Sequence, residues 1–195
     1  MKPIFLIGFM GAGKTTLGRA LAGVWPAGGS GAARPVSGSP ARNVEYVDLD
    51  EYIERSHGMS VGDIFRQEGE ASFRAMEAGA LRELGVRHNL IVGCGGGTPC
   101  HGGNMEWMNR HGLTVLLEAS RPVLLRRLLE AQDGRPLLAG LSAHEVECFI
   151  ASRLADREPF YSMAQLRFPS DRLETPDEVA DSCAEFMSLV SPFLD

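Results

Sequence analysis

Gly8, Gly13, Lys14 and Thr15 stand at the spacing G-x-x-x-x-G-K-[ST]. In that pattern small residues let consecutive backbone N–H groups close around the phosphates of a nucleotide. The lysine then reaches the outer phosphates, and the Ser/Thr hydroxyl is offered to Mg2+. The candidate phosphate cradle is Gly11, Ala12, Gly13, Lys14, Thr15 and Thr16, with Thr15 on the metal side. Lysine usage points the same way, because Lys2 and Lys14 are the only lysines and every other fixed positive charge is an arginine.

Two carboxylates form the next candidate group. Asp48 and Asp50 lie two apart at the end of an apolar stretch, so in an extended strand end they would share a face. One could hold Mg2+ through water while the other meets the hydroxyl of a phosphoryl acceptor. The competing use of Asp50 is to cap the helix that follows it. Arg74 and Glu77, one helical turn apart, read by themselves as a surface ion pair. Glycines 95–97 would let the backbone come close to a ligand where any Cβ would clash. Arg135 stands in a Gly- and Leu-rich segment between two helices, as a charge on a closing lid would. Arg126, Arg127, Arg153 and Arg172 read as solvated or helix-face arginines, one of which could stack on an adenine.

The elements that must position these residues can be laid out in order. Residues 3–7 are too short for a helix and suit a buried parallel strand broken by Gly8. The loop must open a helix, and residues 15–23 supply one with Leu17, Ala20 and Leu21 on a single face. Residues 24–43 lose all hydrophobic period and are rich in Gly, Ala, Pro and Ser, which predicts a flexible insertion, or else a turn pinned by Trp25. Strands are expected at 44–47, 89–92, 113–118 and 165–168. Helices are expected at 51–56, from Ser60 through Phe65, at 70–84, 105–109, from a Ser120 cap, from a Ser142/Glu145 capping box to about Ala155, and from Thr175 and Glu178 to the carboxyl end. Strands alternating with helices give an α/β domain with a parallel sheet, and in such sheets ligands bind beyond the carboxyl ends of the strands. The phosphate loop, Asp48 with Asp50, the glycine run, and the segments of Arg135 and Arg157 are all expected there.

A chain of 195 residues, 44% of them hydrophobic, suits one domain over 1–195, with a lid at about 131–142. A net charge of −6 and a pI near 5.4 argue against nucleic acid or an anionic membrane as partner and leave a small molecule. Cys94, Cys100, Cys148 and Cys183 form no CxxC pair and no metal spacing with histidine, so they are expected as reduced thiols in a cytoplasmic protein. Cleavage of a leader would destroy the phosphate loop, and no run approaches the length of a membrane span.

Taken together, GFMGAGKTT, VDLD followed by EYIE, DIFRQEGEASFRAME, the GGG loop, RPLL and REPFY resemble shikimate kinase, a family of the nucleoside-monophosphate-kinase-like P-loop group. The resemblance covers the chain outside 24–43. It implies a three-layer fold with a five-stranded parallel sheet of order 2-3-1-4-5 flanked by helices. It also implies a phosphotransferase that moves the ATP γ-phosphoryl to the 3-hydroxyl of shikimate with Mg2+, in aromatic amino acid biosynthesis; a monomer is expected, though the sequence does not fix the oligomeric state. By position, Asp50 resembles the aspartate that meets the substrate hydroxyls, Arg74 and Arg157 the pair that grips its carboxylate, and Gly96 the substrate-contacting glycine. Lys14 and Arg135 resemble the residues that reach ATP, and Asp48 the carboxylate near the metal. Bidentate arginine suits a planar carboxylate on chemical grounds as well. Two departures stand out: the long stretch 24–43, and Gly93-Cys94 ahead of GGG, where the family more often has Ala-Thr. The rival enzyme is a small-molecule kinase such as a gluconate kinase, which should lack the set Asp50, Arg74, Gly96 and Arg157. The rival from another class is a non-catalytic nucleotide-binding regulator, against which Lys14, Asp50 and Arg135 count.

Overall fold

Ile4–Ile7 form β1, and all four side chains are buried. Ile4 and Leu6 enter one hydrophobic cluster while Phe5 and Ile7 enter another, because successive residues of a strand point to opposite faces. An unbroken apolar run is therefore what a strand covered on both sides requires. The computed structural model describes residues 1–25, 44–132 and 136–194. Among these, β1 is joined by β2 (Glu45–Asp48), β3 (Leu90–Gly93), β4 (Leu113–Glu118) and β5 (Leu166–Pro169). All neighbours pair in parallel, in the order β2-β3-β1-β4-β5. The sheet order thus agrees with the expectation, and the register aligns Asp48 with Gly93 at one carboxyl edge.

Seven α-helices among the described residues cover the sheet. They are α1 (Lys14–Val24), α2 (Leu49–His57), α3 (Val61–Leu84), α4 (Asn104–His111), α5 (Arg121–Glu130), α6 (Ala143–Tyr161) and α7 (Pro176–Val190). Leu17 and Leu21 of α1 share the first cluster with Leu124, Val146 and Phe186 of α5, α6 and α7. Leu49 of α2, Leu81 of α3 and Met108 of α4 build the second. Each buried leucine of this kind contributes roughly 1.5–3 kcal/mol by leaving water, and their even split between the faces is what makes three layers. No described helix is long and apolar enough to cross a membrane.

Helix ends follow local chemistry closely. Ser142 with Glu145 and Thr175 with Glu178 form full capping boxes. Ser60 accepts from the Asp63 N–H but spends its own hydroxyl on the Asp63 carboxylate, so only half a box forms. Ser120 occupies the N-cap position of α5 without a side-chain cap; its N–H donates to Asp171 Oδ1 instead. The two helices expected within 60–84 run end to end, broken at Gly69, whose φ of 82° suits glycine.

Two expectations are corrected. The helix after β2 starts at Leu49, and its N-cap is Asp48, whose Oδ1 accepts the Asp50 N–H at 3.1 Å. Asp48 and Asp50 therefore do not share the face of a strand, and Asp50, inside the first turn, is not the cap. Helix α6 does not stop near Ala155 but continues through Pro159 to Tyr161, so Arg157 stands on a helix rather than on a strand-end loop. Proline withholds one N–H there, yet Tyr161 is buried and donates its hydroxyl to the Gly96 carbonyl at 2.8 Å. Tertiary anchoring of this last turn outweighs the local penalty.

Helix α1 carries the chain about 16 Å from its phosphate-loop end, at 1.5 Å per residue. Residues 26–43, most of the proposed insertion, lie outside the described residues. The described ends that they join, after Val24 and before β2, are both at the edge of the sheet opposite the phosphate loop. Replacing 26–43 by a short Gly/Ser turn is accordingly expected to leave turnover nearly unchanged. A large loss of turnover in a variant that melts normally would show the placement to be wrong.

Candidate active site

The phosphate loop leaves β1 at Gly8 and is held from outside. Gly11 and Gly13 have φ of 81° and 90°, a backbone region that L side chains rarely adopt. A Cβ on Gly13 would lie 2.4 Å from Leu173 Cδ1, so the loop packs directly on the segment between β5 and α7. Arg127 on α5 ties the same two segments together: Nη1 donates to the carbonyls of Gly11 and Ser170 at 3.0 and 3.1 Å, Nη2 to that of Asp171 at 3.0 Å, and Nε to Glu174 at 2.8 Å. Its side chain is only 12% exposed. Of the two readings of Arg127, helix-face holds, since it stands on α5, and solvated does not. Ala12 turns its methyl into the core, while Gly11, Gly13, Lys14, Thr15 and Thr16 line a cavity of about 550 Å3.

Lys14 opens α1 and curls over its own loop, donating to the carbonyls of Gly8 and Phe9 at 2.8 and 2.9 Å. Burial pushes its pKa down from 10.5 to about 8, with Cys94, Asp50 and Asp48 opposing the shift. Thr15 donates its hydroxyl to Asp48 Oδ2 at 3.1 Å, and Tyr46 donates to the same oxygen at 3.2 Å. Burial raises the Tyr46 phenol well above its usual range and keeps it a donor. One hydroxyl and one carboxylate facing a phosphate cradle are hard oxygen donors, which suits Mg2+. That ion takes one or two protein oxygens and fills its remaining positions with water and phosphate. Consistent with so sparse a set, no group of three His, Cys, Asp or Glu side chains among the described residues could hold a metal alone.

Asp50 projects from the first turn of α2 into the same cavity. Burial, then the charges of Asp48 and Glu77, raise its pKa from 3.8 to about 6, and Lys14 offsets part of this. Cys94 forms the adjoining floor; burial holds its thiol far above the ordinary range.

A second cavity of about 160 Å3 shares Met10, Asp50, Gly95 and Gly96 with the first. Arg74 of α3 and Arg157 of α6 approach the glycine run from two sides. A Cβ on Gly96 would lie 2.7 Å from Arg157 Nη1, and one on Gly97 would lie 3.4 Å from both Arg74 Nη atoms. Gly96 is thus the position where Arg157 comes closer than a side chain would allow, whereas a Cβ on Gly97 would make only ordinary contact. Arg157 lies over the Phe9 ring at 5.1 Å, and its buried Nη1 has no hydrogen-bond partner among the described residues. Arg74 donates to Glu70 at 3.0 Å and to Glu77 at 3.3 Å. Glu77 is 1% exposed and also accepts the Thr98 hydroxyl at 2.5 Å, so the pair is not the surface ion pair that its spacing suggested.

Two adjoining cavities, one ringed by a phosphate loop and the other by two arginines and an aspartate, invite comparison with known proteins. The shikimate kinase family model matches residues 36–188. The chain belongs to the shikimate kinase family. It is 41% identical over 190 residues to the shikimate kinase of Bacteroides thetaiotaomicron, covering 97% of this chain and 99% of that protein. The crystal structure of shikimate kinase from that organism superposes with a TM-score of 0.85 at 40% identity, over 97% of this chain and 98% of the other. Shikimate kinase from Acinetobacter baumannii in complex with shikimate gives a TM-score of 0.76 at 28% identity, over 100% and 96%. As a shikimate kinase family member the chain uses ATP as co-substrate.

Of the residues that the family resemblance singled out, Lys14, Thr15, Asp48, Asp50 and Gly96 surround the larger cavity, and Asp50, Arg74, Gly96 and Arg157 the smaller. Arg135 lies outside the described residues. Beyond it, Leu138 is fully buried, and Gln132 donates to the carbonyls of Leu138 and Leu141. Tyr46, Glu77 and Arg127 are the site residues whose contacts the sequence reading missed.

Proposed function

We propose that the chain transfers the γ-phosphoryl group of ATP to the 3-hydroxyl of shikimate, with Mg2+. The observation that carries this is the smaller cavity, about 160 Å3, which Arg74, Arg157 and Asp50 line together and where one Nη of Arg157 is buried without a partner among the described residues. Arg74 and Arg157 would grip the substrate carboxylate, with Gly96 against the ring. Asp50 would accept or orient the proton of the attacking hydroxyl, and Lys14 would follow the charge moving onto the β–γ bridge. Thr15 and Asp48 would hold Mg2+, which when bound neutralises phosphate charge. Arg135 enters from the sequence resemblance alone, as a further charge on ATP. The same reading takes the protein as a cytoplasmic monomer that acts on small molecules.

The test is ADP release measured with ATP and a panel of acceptors. Release that depends on shikimate is expected. Release stimulated instead by gluconate would favour the sugar-acid kinase alternative, and tight ATP binding with no acceptor-stimulated release would favour a regulatory protein.

A further inference from the structure

Tyr46 pairs with Ile91 across β2 and β3, and its ring leans along the strands to cover Gly93, two residues further on. The ring sits in a slot walled by glycine on two sides. A Cβ on Gly18 of α1 would lie 2.2 Å from Tyr46 Cε2, and one on Gly93 would lie 2.2 Å from the phenol oxygen. Neither position can carry even alanine while the phenol stays in place. A helix interior disfavours glycine, so Gly18 carries a cost that a smaller residue at position 46 would avoid. Gly93 also belongs to the Gly93-Cys94 pair that departs from the family pattern ahead of the GGG loop, and the phenol oxygen is what it makes room for.

What the hydroxyl gains is a bond to Asp48. Oδ2 of that carboxylate accepts from Tyr46 at 3.2 Å and from Thr15 at 3.1 Å, while Oδ1 accepts the Asp50 N–H at 3.1 Å. Of these three donors, Thr15 is the one expected to turn a lone pair toward a cation. The backbone N–H fixes one oxygen, and the phenol fixes the other independently of Thr15. We propose that Tyr46 is a positioning residue, whose hydroxyl holds the Asp48 carboxylate beside Thr15 so that a divalent cation meets the pair already oriented. The inference rests on the reading of Thr15 and Asp48 as the metal side of the site. Partners of this kind behind a metal ligand typically change metal affinity by about 10- to 100-fold when removed.

Mn2+, visible by electron paramagnetic resonance, is the probe, titrated into the full-length protein with ADP. Tyr46→Phe is expected to raise the Mn2+ dissociation constant roughly tenfold, with the melting temperature and the ADP affinity in chelator unchanged. Gly93→Ala should lower the melting temperature, because the new Cβ meets the phenol oxygen. Tyr46→Phe/Gly93→Ala should regain part of that loss, since the ring carbons Cζ and Cε2 would still stand 3.0 and 3.1 Å from the new Cβ, while keeping the weakened Mn2+ binding, which separates packing from positioning. Parental Mn2+ affinity in Tyr46→Phe would overturn the proposal, as would an equal loss of metal-free ADP affinity. Asp48→Asn tells the two levels apart. If it too binds Mn2+ like the parent, the metal assignment itself fails; if it binds weakly while Tyr46→Phe does not, only the role of Tyr46 fails.

Discussion

Asp50→Asn is expected to turn shikimate over about two to four powers of ten more slowly than the parent, to bind ATP normally, and to melt at a higher temperature in metal-free buffer. The first part follows from losing an anionic proton acceptor at the wall shared by both cavities. The second follows because the phosphates are held by the loop of α1. The third follows from the environment of the carboxylate. Its pKa is raised from 3.8 to about 6, first by burial and then by Asp48 and Glu77, so the folded protein binds this proton more readily than the unfolded chain. Its favourable contribution is fully present below pH 3.8 and is lost as pH rises through about 6. At neutral pH the ionised group therefore costs the ligand-free fold about 1–3 kcal/mol, which an uncharged amide removes. Since Asp48 is the cap of α2, the substitution leaves the cap intact. The melting-temperature difference between variant and parent should widen from pH 4 to pH 6.5 and then level off. A variant with full turnover would remove Asp50 from the chemistry; one that lost ATP binding would make it a nucleotide or structural residue.

Lys14→Met is expected to remain folded and to lose phosphoryl transfer by at least about 10²- to 10³-fold. The substitution gives up the bonds to the carbonyls of Gly8 and Phe9 but keeps the apolar length of the side chain, a loss smaller than the stability of a typical domain. In the parent, kcat/KM for ATP should fall as pH rises above about 8, because that quantity reports the free enzyme and the buried ammonium deprotonates there. Near-normal turnover by a folded Lys14→Met protein, or kcat/KM flat from pH 7 to 10, would contradict the role given to Lys14.

The strands and the phosphate loop were legible because their signals are local. A five-residue apolar run ended by Gly8 has few readings, and the capping boxes at Ser142 and Thr175 lie within four residues of sequence. Arg127 was not legible, because three of its acceptors are backbone carbonyls, one of them 116 residues away, and carbonyls leave no mark on a sequence. Glu77 looked like half of a surface pair, since spacing along a helix says nothing about which face is buried. The end of α6 was expected near Ala155, and the packed Tyr161 explains why the helix continues through Pro159. Asp50 and Asp48 exchanged the capping role because helix boundaries are the least determined feature of a sequence.

The four thiols of the chain are free, yet they differ in kind. Thiolate, not thiol, attacks oxidants and alkylating reagents. Cys148 faces solvent on α6, whereas Cys94 is buried against the larger cavity with its ionisation suppressed. A sulfur placed between the phosphate loop and the acceptor side is thus chemically quiet in the closed fold, and oxidative damage would start on the outer helix before it reached the reaction centre.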